Sequence, residues 1–321
     1  MAILNLMQIN RPLRILAILL VLGCTMPAAA SSSEQVVVEV REAQEDCELP
    51  SGPFDMAYEE AAVAADIAES RRPIIGSYRI EIGKRFDFAS YLSPFSYSGT
   101  NVALSGFWAK VMPRHPQSMA MTFDGRANFG NLLNPAGTAR EIDLHAQFRW
   151  GLEWQRRFAG QWLVSVGGNA GVYGGMVYLP RNGNNPAAAQ FAIGIGAQAY
   201  ASKLVRIGRL PVLISDRLAL PLAGAFFCQQ YGESYYEIYL GNRKGLAHFG
   251  WPGNRFGIDN LLMVTFDFGT TAMELGYRFS FQNEQANRLT TRFTSHSLVI
   301  GVIPGSIGVK AGKRNEITPL F

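Results

Sequence analysis

The residues with the most chemical promise are Ser295-His296-Ser297. A histidine beside a hydroxyl can act as the base for a serine nucleophile when the ring is within hydrogen-bond reach. At the outer rim of a barrel such a pair would hydrolyse lipid. On an extended strand, however, neighbouring residues point to opposite faces, so His296 would need a serine from an adjacent strand. No Asn or Asp motif stands out to orient the ring. A polar strand end near a membrane interface is the preferred reading, and a lipid-modifying barrel enzyme is the alternative.

His145 shares one strand face with Glu141, Asp143 and Glu153, a set that could bind a metal or titrate with pH. None of His115, His248 and His296 stands out as a second ligand, so a solvated charge network is preferred, with no metal and no cofactor. Gly194-Ile195-Gly196-Ala197-Gln198-Ala199 formally fits a dinucleotide fingerprint, but that motif needs a strand, a tight turn and a helix. Here a strand period runs straight through it. The tyrosines at 231, 235, 236 and 239 fit either a sugar- or peptide-binding surface or, preferably, an aromatic girdle.

These groups sit on elements best introduced by Glu141 to Phe158, EIDLHAQFRWGLEWQRRF. One alternate set carries Ile142, Leu144, Phe148, Trp150, Leu152 and Trp154; the other carries Glu141, Asp143, His145, Gln147, Arg149, Glu153 and Arg157. That is the period of a strand, and it runs far beyond ordinary globular length. A transmembrane barrel strand needs about 9–11 residues and often continues past the bilayer. The first set is expected to face lipid and the second to line a polar lumen.

The same alternation recurs from Pro73 onward. Tyr78 to Leu92, Val102 to Met112, Met119 to Phe129, Trp162 to Tyr178, a run beginning at Phe191, and Leu213 to Phe227 read as strands. Leu261 to Phe268, Met273 to Phe281 and Thr291 to Ile303 follow. Glu233 to Leu240 reads as a tyrosine-rich strand or loop, and Lys244 to Gly257 as a long external loop. About ten or eleven strands are visible; because bacterial barrels carry even numbers, twelve is expected and ten is the alternative. The fold class is thus all-β, a single antiparallel up-and-down transmembrane β-barrel over 73–321.

Residues 1–30 have the form of a Sec-type signal peptide: Arg11 and Arg14, an apolar stretch from Ile15 to Leu22, and Ala28-Ala29-Ala30. Val21-Leu22-Gly23-Cys24 is the less favoured alternative, a lipoprotein site. Residues 31–72 are read as a periplasmic segment with one alanine-rich helix at Phe54 to Ser70. Of 29 Lys and Arg, two lie in the leader, leaving 27 against 25 Asp and Glu; a balance of +2 without a basic patch argues against nucleic acid. Cys47 and Cys228 need not pair.

Four longer stretches go beyond strand patterning: Tyr91 to Thr100 (YLSPFSYSGT), Gly174 to Gln190 (GGMVYLPRNGNNPAAAQ), Gln230 to Leu240 (QYGESYYEIYL) and Ser295 to Val302 (SHSLVIGV). In these the chain resembles an uncharacterised Bacteroidetes family of outer-membrane-type barrels grouped under a domain of unknown function. The resemblance implies a Gram-negative envelope protein with a single barrel, and no activity or site residue. The expected function is a porin-like outer-membrane barrel without catalytic activity, a structural or adaptor protein or a narrow solute path. Its partners would be outer-membrane lipids and an envelope protein; a soluble periplasmic ligand-binding barrel is the third alternative.

Overall fold

The computed structural model describes residues 74–304, apart from 113–117, 159–161, 184, 209 and 243. The leader, Cys24, the 31–72 segment with its expected helix, Cys47, His115 and the end of the chain beyond Pro304 lie outside the described residues. In chain order the strands are β1 (Ile74–Ala89), β2 (Tyr97–Val111), β3 (Met119–Leu133), β4 (Arg140–Phe158), β5 (Trp162–Tyr178), β6 (Ala187–Ile207) and β7 (Leu210–Phe227). After these come β8 (Ala247–Gly250), β9 (Arg255–Asp267), β10 (Thr271–Ala286) and β11 (Leu289–Pro304). One short helix, α1 (Tyr235–Tyr239), lies between β7 and β8.

Sequence neighbours pair antiparallel from β1 to β7 and from β9 to β11; β7 pairs with β9 and β1 with β11, closing the sheet into a ten-strand barrel. Closure leaves no long edge and satisfies the backbone within the wall. The strand β8 stands outside this count, pairing only with Gly224–Phe227 at the end of β7. The number is therefore ten and not twelve. The Tyr235–Tyr239 segment, expected as a strand or loop, is a helix, and the stretch Lys244 to Gly257, expected as a loop, contains β8 and the first three residues of β9. A strand of 16 residues such as β1, at about 3.3 Å per residue and a tilt of about 40°, rises about 40 Å along the barrel axis.

Burial fixes which face points where. Tyr78, Ile80 and Ile82 of β1, Ile193 and Ile195 of β6, and Leu298 and Ile300 of β11 are exposed on the outside. Their alternates Arg79, Glu81, Gln198 and Ser297 are buried inside. This is the reverse of a soluble barrel, where the apolar face is the inner one. Polar exceptions on the outer face pair with one another: Asn260 donates to Asp216 at 2.7 Å, and the Tyr277 hydroxyl lies 2.6 Å from His296 Nδ1.

The two ends differ. One end holds Ile74 and Pro304 and the short turn at 268–270 between β9 and β10. The other carries the 228–254 loop and the connections at 90–96, 134–139 and 179–186. Its tightest turn is Asn287-Arg288, both in the left-handed region (φ 52° and 62°), the geometry that suits a two-residue hairpin between twisted strands. The Asn287 amide also donates to the carbonyls of Cys228 and Gly245, both at 3.0 Å, tying the long loop to this hairpin.

Candidate functional site: the barrel lumen

The lumen is filled in layers. At the short-turn end Phe107, Leu163, Tyr200, Leu204, Leu213 and Ile303 pack with Ala109, Ala120 and Ala272 into an apolar floor. Each lies on the inward phase of its strand, so the residues that change the lumen from apolar to charged are the next alternates along the same strands.

Above the floor, Arg79 grips Glu274 with two parallel bonds of 2.8 and 2.9 Å, and Ser77 donates to the same carboxylate. Glu153 accepts from Arg217, from Gln198 at 2.7 Å and from the Ser165 hydroxyl at 2.6 Å. The Arg217 guanidinium lies between Phe107 and Tyr200, 4.5 and 4.6 Å from their ring centres. This arrangement bridges floor and network, because a guanidinium face stacks on aromatic rings while its edge keeps its donors.

The middle is an alternating cluster. Glu81 pairs with Arg126 at 2.8 Å and Arg278 at 3.3 Å and accepts from Ser105 at 2.6 Å. Arg149 bridges Asp124 and Asp259 at 2.8 and 3.0 Å. Arg278, only 1% exposed, lies 3.6 Å from Asp259 and 4.0 Å from Asp124. Toward the loop end Arg85 binds Asp87 at 2.7 Å and Asp143 at 3.0 Å and covers the Phe293 ring at 4.6 Å. His145 bonds Asp143 through Nδ1 and stacks on Tyr173 with ring centres 5.0 Å apart. Tyr97, Leu92, Leu132, Val177, Leu179 and Phe293 then form an apolar ceiling.

The residues singled out on β4 fall as follows. Glu141, Asp143, His145 and Glu153 are buried inside, and Gln147 and Arg149 border an internal cavity of about 100 Å³. Arg157 has the inward phase but sits at the short-turn end and is exposed, so it does not line the closed part of the lumen. Ile142, Leu144, Phe148, Trp150, Leu152 and Trp154 point outward. The partners of the β4 charges, Arg85, Asp124, Gln198, Arg217 and Asp259, lie on five other strands and escaped the sequence reading. Their inward phase was legible; their pairing needs the register and the closure of the barrel.

His296 faces outward, with Lys84 and Phe279 as its ladder neighbours. Ser295 and Ser297 are buried on the inner face, so the structure brings no serine to the ring. Among the described residues no group of three or more His, Cys, Asp or Glu could hold a metal. His248 is on β8, packed against Phe226. Gly194 to Ala199 lies within β6, antiparallel to β5 and β7.

The tyrosine-rich segment separates into two roles. Tyr235 accepts the Ala189 N–H at 2.5 Å and Tyr91 donates to the Glu233 carbonyl at 2.6 Å, fastening the loop to the rim. Burial raises both phenols, Tyr91 to about 12. Burial also pushes the nearby Cys228 thiol up to about 11. Tyr231, Tyr236 and Tyr239 stand in solvent. A capping box starts α1: Glu237 N–H donates to Ser234 Oγ at 3.3 Å, and the Glu237 carboxylate accepts the Ser234 N–H at 2.7 Å. Accepting the Ser234 backbone and hydroxyl protons holds the Glu237 carboxyl below its usual range.

Residues 47–312 match the sequence profile described as "Protein of unknown function (DUF3316)". Comparison with curated proteins gives no match. Among solved structures the chain is similar to the outer-membrane protease OmpT of Escherichia coli, with 9% identity, 73% of this chain and 97% of that one covered, and a TM-score of 0.42. It is also similar to the transport unit of the autotransporter AIDA-I from Escherichia coli (7% identity, 77% and 98% covered, TM-score 0.42). A third is the translocator domain of the autotransporter NalP from Neisseria meningitidis (10% identity, 78% and 95% covered, TM-score 0.34).

Proposed function

The chain belongs to the DUF3316 family of proteins of unknown function, and on that footing we propose that it is an outer-membrane β-barrel without catalytic activity, closed to solutes, that serves the envelope as a structural or adaptor element. The observation that carries this reading is the inversion of the barrel. Its large apolar side chains form the outer surface, while arginines and carboxylates from six strands neutralise one another inside. Lipid is the solvent in which that outer surface costs nothing, whereas in water it would be one continuous aggregation-prone patch. The apolar floor and ceiling on either side of the charged layers favour a closed barrel over the narrow solute path.

Fractionation tests the placement: recovery should depend on detergent, and unheated protein should migrate differently from boiled protein on a gel. Planar-bilayer recording tests the closure, with no steady conductance expected from folded protein. Recovery in the soluble periplasmic fraction would overturn the membrane reading, and ohmic channels would overturn the closed one. The lipid-hydrolase alternative loses support because the outward neighbours of His296 are Lys84, Phe279 and Tyr277, none of which is an activated serine.

A further inference from the structure

The barrel wall has a seam. The strands β7 and β9 pair only from Val212↔Phe266 to Ala219↔Asp259, although both continue toward the loop end. Leu220 to Ala223 of β7 and Arg255 to Ile258 of β9 therefore run side by side without a ladder. Two sequence features account for this. Pro221 has no N–H to offer a neighbouring strand. The β6–β7 register also slips at Ile195/Gly196, leaving Leu222 as an extra residue and bending β7 away. Higher up, β8 takes over the edge of β7 at Gly224–Phe227, so the gap is bounded above and below.

The lumenal cavity of about 100 Å³ opens at this seam. Its wall is formed by Leu220, Pro221, Gly257 and Ile258 from the two unpaired stretches, and Arg149 and Arg255 border it from inside. Outside, the seam is flanked by Ile195 (62% exposed), Leu222 and Phe256, the same apolar surface that faces lipid elsewhere. Of the five donors on the Arg255 guanidinium, Nε bonds Glu284 at 2.8 Å. Arg149 uses Nε and Nη2 on its two aspartates. The carboxylate lining the cavity, Asp259, is already held by Arg149 and Arg278.

From this geometry we infer that the seam is a binding site for a single-chain amphiphile with a compact anionic head, the chemistry of a fatty acid. The head sits in the cavity against Arg255 and Arg149, and the chain leaves past Ile195, which lines the cavity and is exposed on the lipid-facing side. The cavity admits a carboxylate or a few waters but not a phospholipid or sugar head group. The inference rests on the membrane-barrel reading above, because only that reading puts lipid at the outer mouth of the seam.

The test is saturable binding of radiolabelled palmitate to the purified, heat-modifiable protein in non-ionic detergent, with hexadecanol as the competitor of equal chain length lacking the charge. Palmitate should saturate and hexadecanol should compete at least tenfold more weakly. Arg255→Gln should weaken palmitate binding about tenfold. Ala219→Leu, which fills the cavity from an inward position without touching charge, should weaken it at least as much. Lys84→Gln, an equal loss of charge on the outer face, should bind as wild type does. A barrel that shifts on heating but shows no saturable binding, or binds hexadecanol equally, or is indifferent to both Ala219→Leu and Arg255→Gln, refutes the site and leaves the barrel standing. A protein that needs no detergent and shows no shift refutes the barrel reading itself, and the site with it.

Discussion

Arg278 is the residue whose removal should be felt most. It lies at the centre of the lumen, 1% exposed, among Glu81, Asp259 and Asp124 at 3.3, 3.6 and 4.0 Å. Arg278→Met keeps most of the side-chain volume and removes only the charge and donors. The three carboxylates then share Arg126 and Arg149, each already engaged. Breaking a buried ion pair by deleting one partner costs about 3–5 kcal/mol, because the uncompensated charge stays behind. At about 1.4 kcal/mol per tenfold, that lowers the folding equilibrium by roughly two to three and a half orders of magnitude. The assay is urea unfolding in detergent micelles, read as loss of the heat-modifiable gel form. If the cost is stranded charge and not lost packing, Glu81→Gln added to Arg278→Met should restore part of the stability. A single substitution that costs less than about 1 kcal/mol, or a double variant less stable than the single one, would refute the reasoning that this network is closed to water.

Planar-bilayer recordings should show no steady current from wild type, whereas Phe107→Ala combined with Leu204→Ala, which thins the apolar floor, should produce measurable leak; equal traces from both proteins would refute the floor as a seal. Gly167→Ala should destabilise by about 1–3 kcal/mol in urea unfolding, because a Cβ there would lie 1.9 Å from the Leu152 carbonyl oxygen, while Gly125→Ala, with nothing within 4 Å, should be neutral. Ser234→Ala should loosen α1 by about 0.5–2 kcal/mol, the usual cost of losing an N-cap, seen as faster hydrogen exchange at residues 235–240. The same exchange should depend on pH: the folded state holds the Glu237 carboxyl below its ordinary 4.5, so its contribution is complete above that value and is lost as pH falls through the lower folded-state value. Protection of α1 amides relative to their intrinsic exchange rates that is flat from pH 7 to pH 3 would contradict this.

The period-2 alternation was enough to read the barrel from the chain, since each strand separates its apolar and polar residues onto two faces. On β4 it sets Trp150 and Arg149 on opposite faces without any coordinates. The strand number was not legible, for a local reason. ESYYEIYL looks extended by its β-branched and aromatic content, yet Ser234 and Glu237 are spaced as a capping box and turn Tyr235–Tyr239 into a helix. The four residues of β8 are too short to show a period at all. The candidate site was half legible in the same sense. Every lumenal arginine lies on a recognisable polar face, but Arg149 meets Asp259 across 110 positions of sequence and Arg79 meets Glu274 across 195, contacts that only closure of the barrel creates.

The same alternation also suits a soluble barrel, so the direction of the faces had to come from another source. The decision lies in the inner face. A polar face turned to water needs no internal order, because water satisfies each group separately. Here charged groups of the polar face instead pair with one another: Arg149 between two aspartates on β3 and β9, Arg85 between carboxylates on β1 and β4, and Glu153 beneath Arg217 and Gln198. Buried charges persist only when paired and hydrogen-bonded, so this mutual pairing marks the polar face as the enclosed one and leaves the apolar face outside. The seam between β7 and β9 is where the wall departs from this scheme, with cationic donors inside and apolar side chains outside and no ladder between them. An anionic amphiphile is complementary to both sides of that break, which is why the palmitate experiment probes the wall where it is least regular.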